Sequence, residues 1–179
     1  MSLLLLPEYH QRLEVLTELG YVSGGAVALG GRVAALLSTQ QLLLTELLLA
    51  NALAPLRPEE SVALLSPCSA LRAIAARVGR LEQEHGLGPG PDECVAQLGF
   101  GLVQVVLEWA RGMPFADIAR LAPVQEGTVV RAIQRLEELL RELRQAARVV
   151  GDPALAAKME AAAASIKRDI VFAASLYTQ

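Results

Sequence analysis

Four charged residues follow one another at spacings of 4, 3 and 4 in the stretch RAIQRLEELLREL: Arg131, Arg135, Glu138 and Glu142. An α-helix turns by about 100° per residue, so this spacing lines the four up on one side and sets Val129, Ile133, Leu136, Leu140 and Leu143 on the other. A guanidinium offers a planar fork of donors that can grip a phosphate, meet a base edge or stack on a base. A carboxylate one turn away can orient that fork or accept from a base amine. Such a stripe could face something that moves past it; it breaks no covalent bond. The competing reading is a solvated face, on which an i,i+3 charge pair contributes about 0.2–0.5 kcal/mol.

Other chemistries lack their residues. Phosphate cradling by a nucleotide-hydrolysing loop needs GxxxxGK[ST], which is absent; GLGPG and GFG carry glycines without the lysine or a preceding strand and read as turns. A serine hydrolase needs GxSxG and a histidine base, yet His10 and His85 have no serine or cysteine placed to be activated. The carboxylate pairs Glu59/Glu60 and Glu137/Glu138 are sequence neighbours, which diverge on a helix and share neither a proton nor a metal. Trp109, flanked by Val105, Val106 and Leu107, reads as core. Cys68 and Cys94 lie in no CxxC or Cys/His cluster, so the expectation is two buried thiols in a reducing compartment. A net charge of −3 and a pI near 5.5 argue against a free-standing nucleic-acid binder, whose affinity comes from a basic face. Any such contact must be local, or completed by other parts of a larger protein.

The elements that would position the stripe are helical. Of the 179 residues 53% are hydrophobic but only 4% aromatic, with a mean hydropathy of +0.39, so the core is built from Leu, Ala and Val. The expected fold class is all-α, a bundle of seven to eight helices forming a single domain over residues 1–179. One short β-hairpin near residues 21–29, around Ser23-Gly24-Gly25, is the only strand the pattern allows. Pro7 and Gly20 bracket a first helix with Tyr9, Leu13 and Leu16 inward. Ser38 or Thr39 caps a leucine-rich helix buried all round, and Gly86 ends a helix carrying Leu71, Ile74, Val78 and Leu81. A pattern loosened by Gly99 and Gly101 runs from Asp92 to Trp109. FADIARLA, a turn and the helix from Glu126 form a corner. Asp152 and Pro153 open a last helix with Met159, Ile166, Ile170 and Tyr177 on one side. MSLLLL is too short for a signal-peptide core or a membrane span, and the leucine-rich run is interrupted by Thr45, Glu46 and Asn51.

Four blocks resemble one family: LPEYHQRLEVLTELGYV, LLLTELLLANALAPLRPEESVALLS, EWARGMPFADIARL with EGTVVRAIQRLEELLREL, and IKRDIVFAASLYTQ. They are similar to the C-terminal helical domain, DSHCT, of the DExH-box RNA helicases that feed RNA to the exosome. The first block and the SLYTQ ending most resemble the superkiller type of the cytoplasmic Ski complex. The resemblance implies a wing-like hairpin at about residues 20–31 and a ratchet helix at about 126–150 that lies along the RNA strand leaving the ATPase core. It sets the family's ratchet positions on Arg135 and Glu138, with Arg131 and Glu142 as neighbouring RNA contacts. It implies a parent that is an ATP-dependent 3′ to 5′ helicase, whose RecA-like domains, with their ATP and Mg²⁺, are absent from this chain; the chain alone is no enzyme and binds no cofactor. The implied partners are single-stranded RNA, the RecA-like domains, Ski complex subunits and the exosome, with no membrane and a cytoplasmic setting. The chain departs from the family at Pro67-Cys68-Ser69, where a longer connection is usual.

Two other functions stay open on the sequence. One is a protein-interaction bundle that braces the helicase core without touching RNA. The other is a helix-turn-helix DNA regulator built on the corner before Glu126, for which only Arg131 and Arg135 lie near the start of the second helix.

Overall fold

The computed structural model describes residues 5–62, 69–88, 90–96, 98, 101–168 and 171. Among them are ten helices and one two-stranded antiparallel sheet. The chain is all-α as expected, and the helices outnumber the expected seven or eight because the run from Asp92 to Trp109 is divided in two and a short helix follows the hairpin. Two compact units emerge. One comprises Met1–Ala52 with Pro67–Gly99, the other Leu53–Ser66 with Phe100–Gln179.

In the first unit, α1 (Leu6–Glu18) has Pro7 in its opening turn, and Gly20 follows it at φ +73°, a left-handed conformation that glycine adopts without strain. Only Val15 of α1 is fully buried. Tyr9, expected inward, is exposed and meets His10 edge-on at 5.5 Å. The hairpin forms where glycine allows it: β1 (Val22–Ser23) pairs with β2 (Ala26–Val27), and Gly24 and Gly25 both take positive φ, as a two-residue hairpin turn matching strand twist requires. The chain then enters α2 (Leu29–Ala34). A Cβ on Gly30 would sit 2.6 Å from Tyr21 Cδ1, so glycine there lets the buried Tyr21 ring lie against the helix backbone.

The leucine-rich helix α3 spans Gln41–Leu49 and buries six consecutive residues, Leu43 to Leu48. Its N-cap is Gln40, in a left-handed conformation with no side-chain cap bond; neither Ser38 nor Thr39 takes that place. Burying every side of α3 includes Glu46, which accepts from Tyr21 Oη at 2.9 Å and pairs with Arg77 at 3.0 Å. Arg77 belongs to α5 (Ser69–Glu84), which packs on α3 and on α6 (Pro91–Ala96). Gly86 follows α5 at φ +71°. Cys94, in α6, is half-buried and burial raises its thiol pKa; Cys68 lies outside the described residues.

The second unit holds α4 (Pro58–Val62), α7 (Val103–Ala110), α8 (Phe115–Leu121), α9 (Glu126–Val150) and α10 (Pro153–Ile166). The expected run from Asp92 to Trp109 is therefore split into α6 and α7. α9 packs against α10, which also contacts α4 and α7. Ile118, Val129, Ile133, Met159, Ala162, Ile166 and Trp109 are all fully buried, which makes Trp109 core. Asp152 caps α10 by accepting from Leu155 N at 2.8 Å. The last helix ends at Ile166, short of the expected extent, because Lys167 leaves helical backbone at ψ 77°. The Ile166 carbonyl accepts from Trp109 Nε1 and from Arg168 N instead of serving a longer helix. The expected Tyr177 side of that helix lies outside the described residues.

Candidate nucleic-acid interface

α9 is one uninterrupted helix of 25 residues, about 37 Å long. Gln125 enters it extended, and Gly151 ends it at φ +86°. Its inner side buries Val129, Ile133, Leu140, Leu143, Ala146 and Ala147. Two bonds hold it from outside the apolar seam: Arg144 donates to Glu160 of α10 at 3.0 Å, and Gln134 Nε2 donates to the Val171 carbonyl at 2.9 Å. A helix pinned along its length in this way presents its opposite side at fixed spacing.

That opposite side carries the four residues singled out by spacing. Arg131, Arg135 and Glu138 are exposed, and Glu142 is half-buried. The Arg131 guanidinium leans back to Thr128 Oγ1 at 3.3 Å. Arg135 and Glu138 have neither a hydrogen bond nor an ion pair among the described residues, so the i,i+3 pair between them is not formed. Both project into solvent with their hydrogen-bonding capacity unspent.

The pattern reading missed Glu137. It is 4% exposed and accepts from Arg141 Nε at 2.6 Å, as a buried carboxylate requires. The signal was its place one turn beyond Ile133 and three residues before Leu140, on the edge of the apolar side. Arg141 and Arg144, rotated off the stripe, are thereby committed to glutamates, while Arg148 is exposed. Arg168, beyond α10, is turned inward over Trp109. The corner between α8 and α9 is present, but the first turn of α9 offers Glu126 and Gly127 to solvent and no cation before Arg131.

Among the described residues no group of three or more His, Cys, Asp or Glu is placed to hold a metal ion, and no helix is long and apolar enough to cross a membrane. What the geometry can do is hold a polyanion locally: two guanidinium forks one turn apart, followed by two carboxylates.

The sequence relates this all-helical chain directly to DExH-box RNA helicases. The DSHCT (NUC185) domain matches residues 24–72 and 67–173, so the chain belongs to the DSHCT family. It is 55% identical to human Superkiller complex protein 2 over 99% of this chain and 16% of that protein. It is 39% identical to the yeast (Saccharomyces cerevisiae) Antiviral helicase SKI2 over 98% of this chain and 16% of that protein, and 34% identical to the mouse Exosome RNA helicase MTR4 over 98% and 19%. The chain thus spans less than a fifth of the length of these relatives. The two DSHCT matches overlap at residues 67–72, across Pro67-Cys68-Ser69, of which Pro67 and Cys68 lie outside the described residues.

Proposed function

We propose that this chain is the strand-guiding domain of an ATP-dependent RNA helicase of the superkiller type. Single-stranded RNA leaving the ATPase domains lies along α9, and each ATP-driven step draws it past Arg135 and Glu138. ATP and Mg²⁺ belong to RecA-like domains elsewhere in the parent, which moves 3′ to 5′ and delivers RNA to the cytoplasmic exosome with Ski complex subunits. The observation that carries this reading is that Arg135 and Glu138 share the solvent side of a rigid helix without spending their charge on each other. Arg135 grips phosphate or stacks on a base; Glu138 keeps the grip weak enough to release. Arg131 and Glu142 extend the contact on either side.

The test replaces Arg135 with Ala in the complete helicase. Duplex unwinding slows several-fold, while the melting midpoint stays that of the wild type, since an exposed, unpaired side chain adds little to stability. Equal unwinding rates would remove the role.

A second reading draws on Leu121 and Val124, which are 50% and 39% exposed at the α8–α9 corner. Such residues suit bracing against another protein surface. On that reading RNA crosslinks to the assembled helicase leave residues 126–150 unmodified.

A further inference from the structure

We infer that the RNA track on α9 continues two further turns beyond the charged residues, to Gln145 and Val149, and that this end receives bases where the arginine end receives phosphates. The inference rests on the function proposed above and extends it to residues that the charge pattern does not single out.

The geometry is a continuation. After Glu142 the next positions on the same side of the helix, at spacings of 3 and 4, are Gln145 and Val149. Both are exposed, Val149 at 36%. Ala146 and Ala147 between them are fully buried, which fixes the rotation of this end of α9 and makes the outward direction of Gln145 and Val149 unambiguous. A lone exposed valine is ordinary. One that closes a line of six positions, on a helix whose other side is sealed, forms part of a surface. From Arg135 to Val149 the line is about 21 Å long, room for about six stacked nucleotides.

The chemistry changes along the line: two cations, two carboxylates, then a neutral amide and an aliphatic side chain. The backbone adds to this gradient. Positive helix-dipole charge sits at the Glu126 end and negative charge at the Val150 end, where the final carbonyls lack intrahelical donors. The dipole therefore favours phosphates near Arg131 and Arg135 and works against them along the line near Val149, the exposed Arg148 being rotated off that line. A base carries no net charge and feels no such penalty. The Gln145 amide supplies both a donor and an acceptor for a base edge, and the Val149 methyl groups supply an apolar surface for a base face. Contact with a base face is available from any base, as a moving strand demands.

The experiment places a benzophenone side chain singly at positions 135, 145, 149 and 148 of the complete helicase and irradiates it with a bound single-stranded uridine RNA. Arg148 is the control, being exposed but rotated off the line. Adducts at 145 and 149 exceed those at 148 several-fold, and an abasic strand of equal length loses the 145 and 149 adducts while keeping those at 135. Adducts at 135 with only control-level yield at 145 and 149 overturn the extension and leave the proposed function standing. Control-level yield at all positions overturns the proposed function itself. Adducts at 145 and 149 that survive in the abasic strand overturn the assignment of bases to this end.

Discussion

The guanidinium of Arg168 lies over the ring of Trp109, its carbon 3.7 Å from the ring centroid, and the same group donates to the backbone carbonyls of Trp109 and Met113 at 2.6 Å each. Trp109 returns a bond through Nε1 to the Ile166 carbonyl at 2.9 Å. The chain beyond α10 is thus tied to the end of α7 by one planar cation that stacks and donates at once. Arg168→Ala removes the cation–π contact and leaves two carbonyls without their charged donor. The loss is about 2–3 kcal/mol, and the melting midpoint falls by about 5–10 °C. Arg168→Lys recovers only part of this, since an ammonium cannot stack and fork together. An unchanged midpoint in the alanine variant would show that the lock adds nothing.

A second prediction concerns Tyr21. Its hydroxyl is held above the ordinary tyrosine pKa, first by burial, then by the hydrogen bond to Glu46 and that carboxylate's charge; the neighbouring Thr45 hydroxyl and the Arg77 charge pull weakly the other way. The fold therefore favours the protonated phenol. This stability is fully present below the unfolded tyrosine value, about 10, and is lost as pH rises above it. Urea midpoints followed into the alkaline range fall more steeply for the wild type than for Tyr21→Phe. Parallel curves would exclude Tyr21 as a source of alkaline sensitivity.

His85 supplies the neutral-range counterpart. Its Nε2 meets Glu18 at 2.9 Å and its Nδ1 meets Glu14 at 3.1 Å, joining the end of α5 to two turns of α1. The bond to Glu18 is the largest cause of an imidazole pKa above the usual value; desolvation opposes it, and Glu14 adds to it. A raised folded pKa means the clasp is fully formed below the unfolded value, about 6.5, and loosens as pH rises through the higher folded value. His85→Gln should flatten the decline of the midpoint between weakly acidic and weakly alkaline pH. A decline equally steep in the variant would assign it to other groups.

Periodicity carried much of this. Residues such as Val129, Ile133 and Leu140 repeat cleanly because one side of a long helix meets a continuous core, so the start of α9 near Glu126 and its two sides were legible from spacing. Gly24-Gly25 gave the hairpin for the same local reason, a turn only glycine forms easily. What stayed hidden depends on partners distant in sequence. Glu46 sits in a wholly apolar helix because Tyr21 and Arg77 reach it from elsewhere, and no local pattern announces either. The end of α10 at Ile166 comes where that residue's carbonyl accepts from Trp109 Nε1, a partner distant in sequence. In the stripe, spacing could line up Arg135 with Glu138 but could not show that the two leave each other unpaired.

That unpaired state yields the last prediction. If Glu138 moderates the hold on RNA, neutralising it strengthens binding and slows release. A carboxylate within a turn of Arg135 repels the phosphate that Arg135 attracts, and in a solvent-exposed setting the repulsion is about 0.3–1 kcal/mol, roughly two- to fivefold in affinity. In the complete helicase Glu138→Gln therefore binds single-stranded RNA about two- to fivefold more tightly at fixed salt, and unwinds more slowly if release limits each step. Arg135→Ala acts oppositely on affinity and lowers the slope of log K against log salt by about 0.7, as expected when a single strand has one phosphate fewer neutralised by the protein. The pair of variants separates the roles. An Arg135→Ala protein with unchanged salt slope would place no phosphate at Arg135, and a Glu138→Gln protein that binds RNA no more tightly would leave Glu138 as a solvated surface residue.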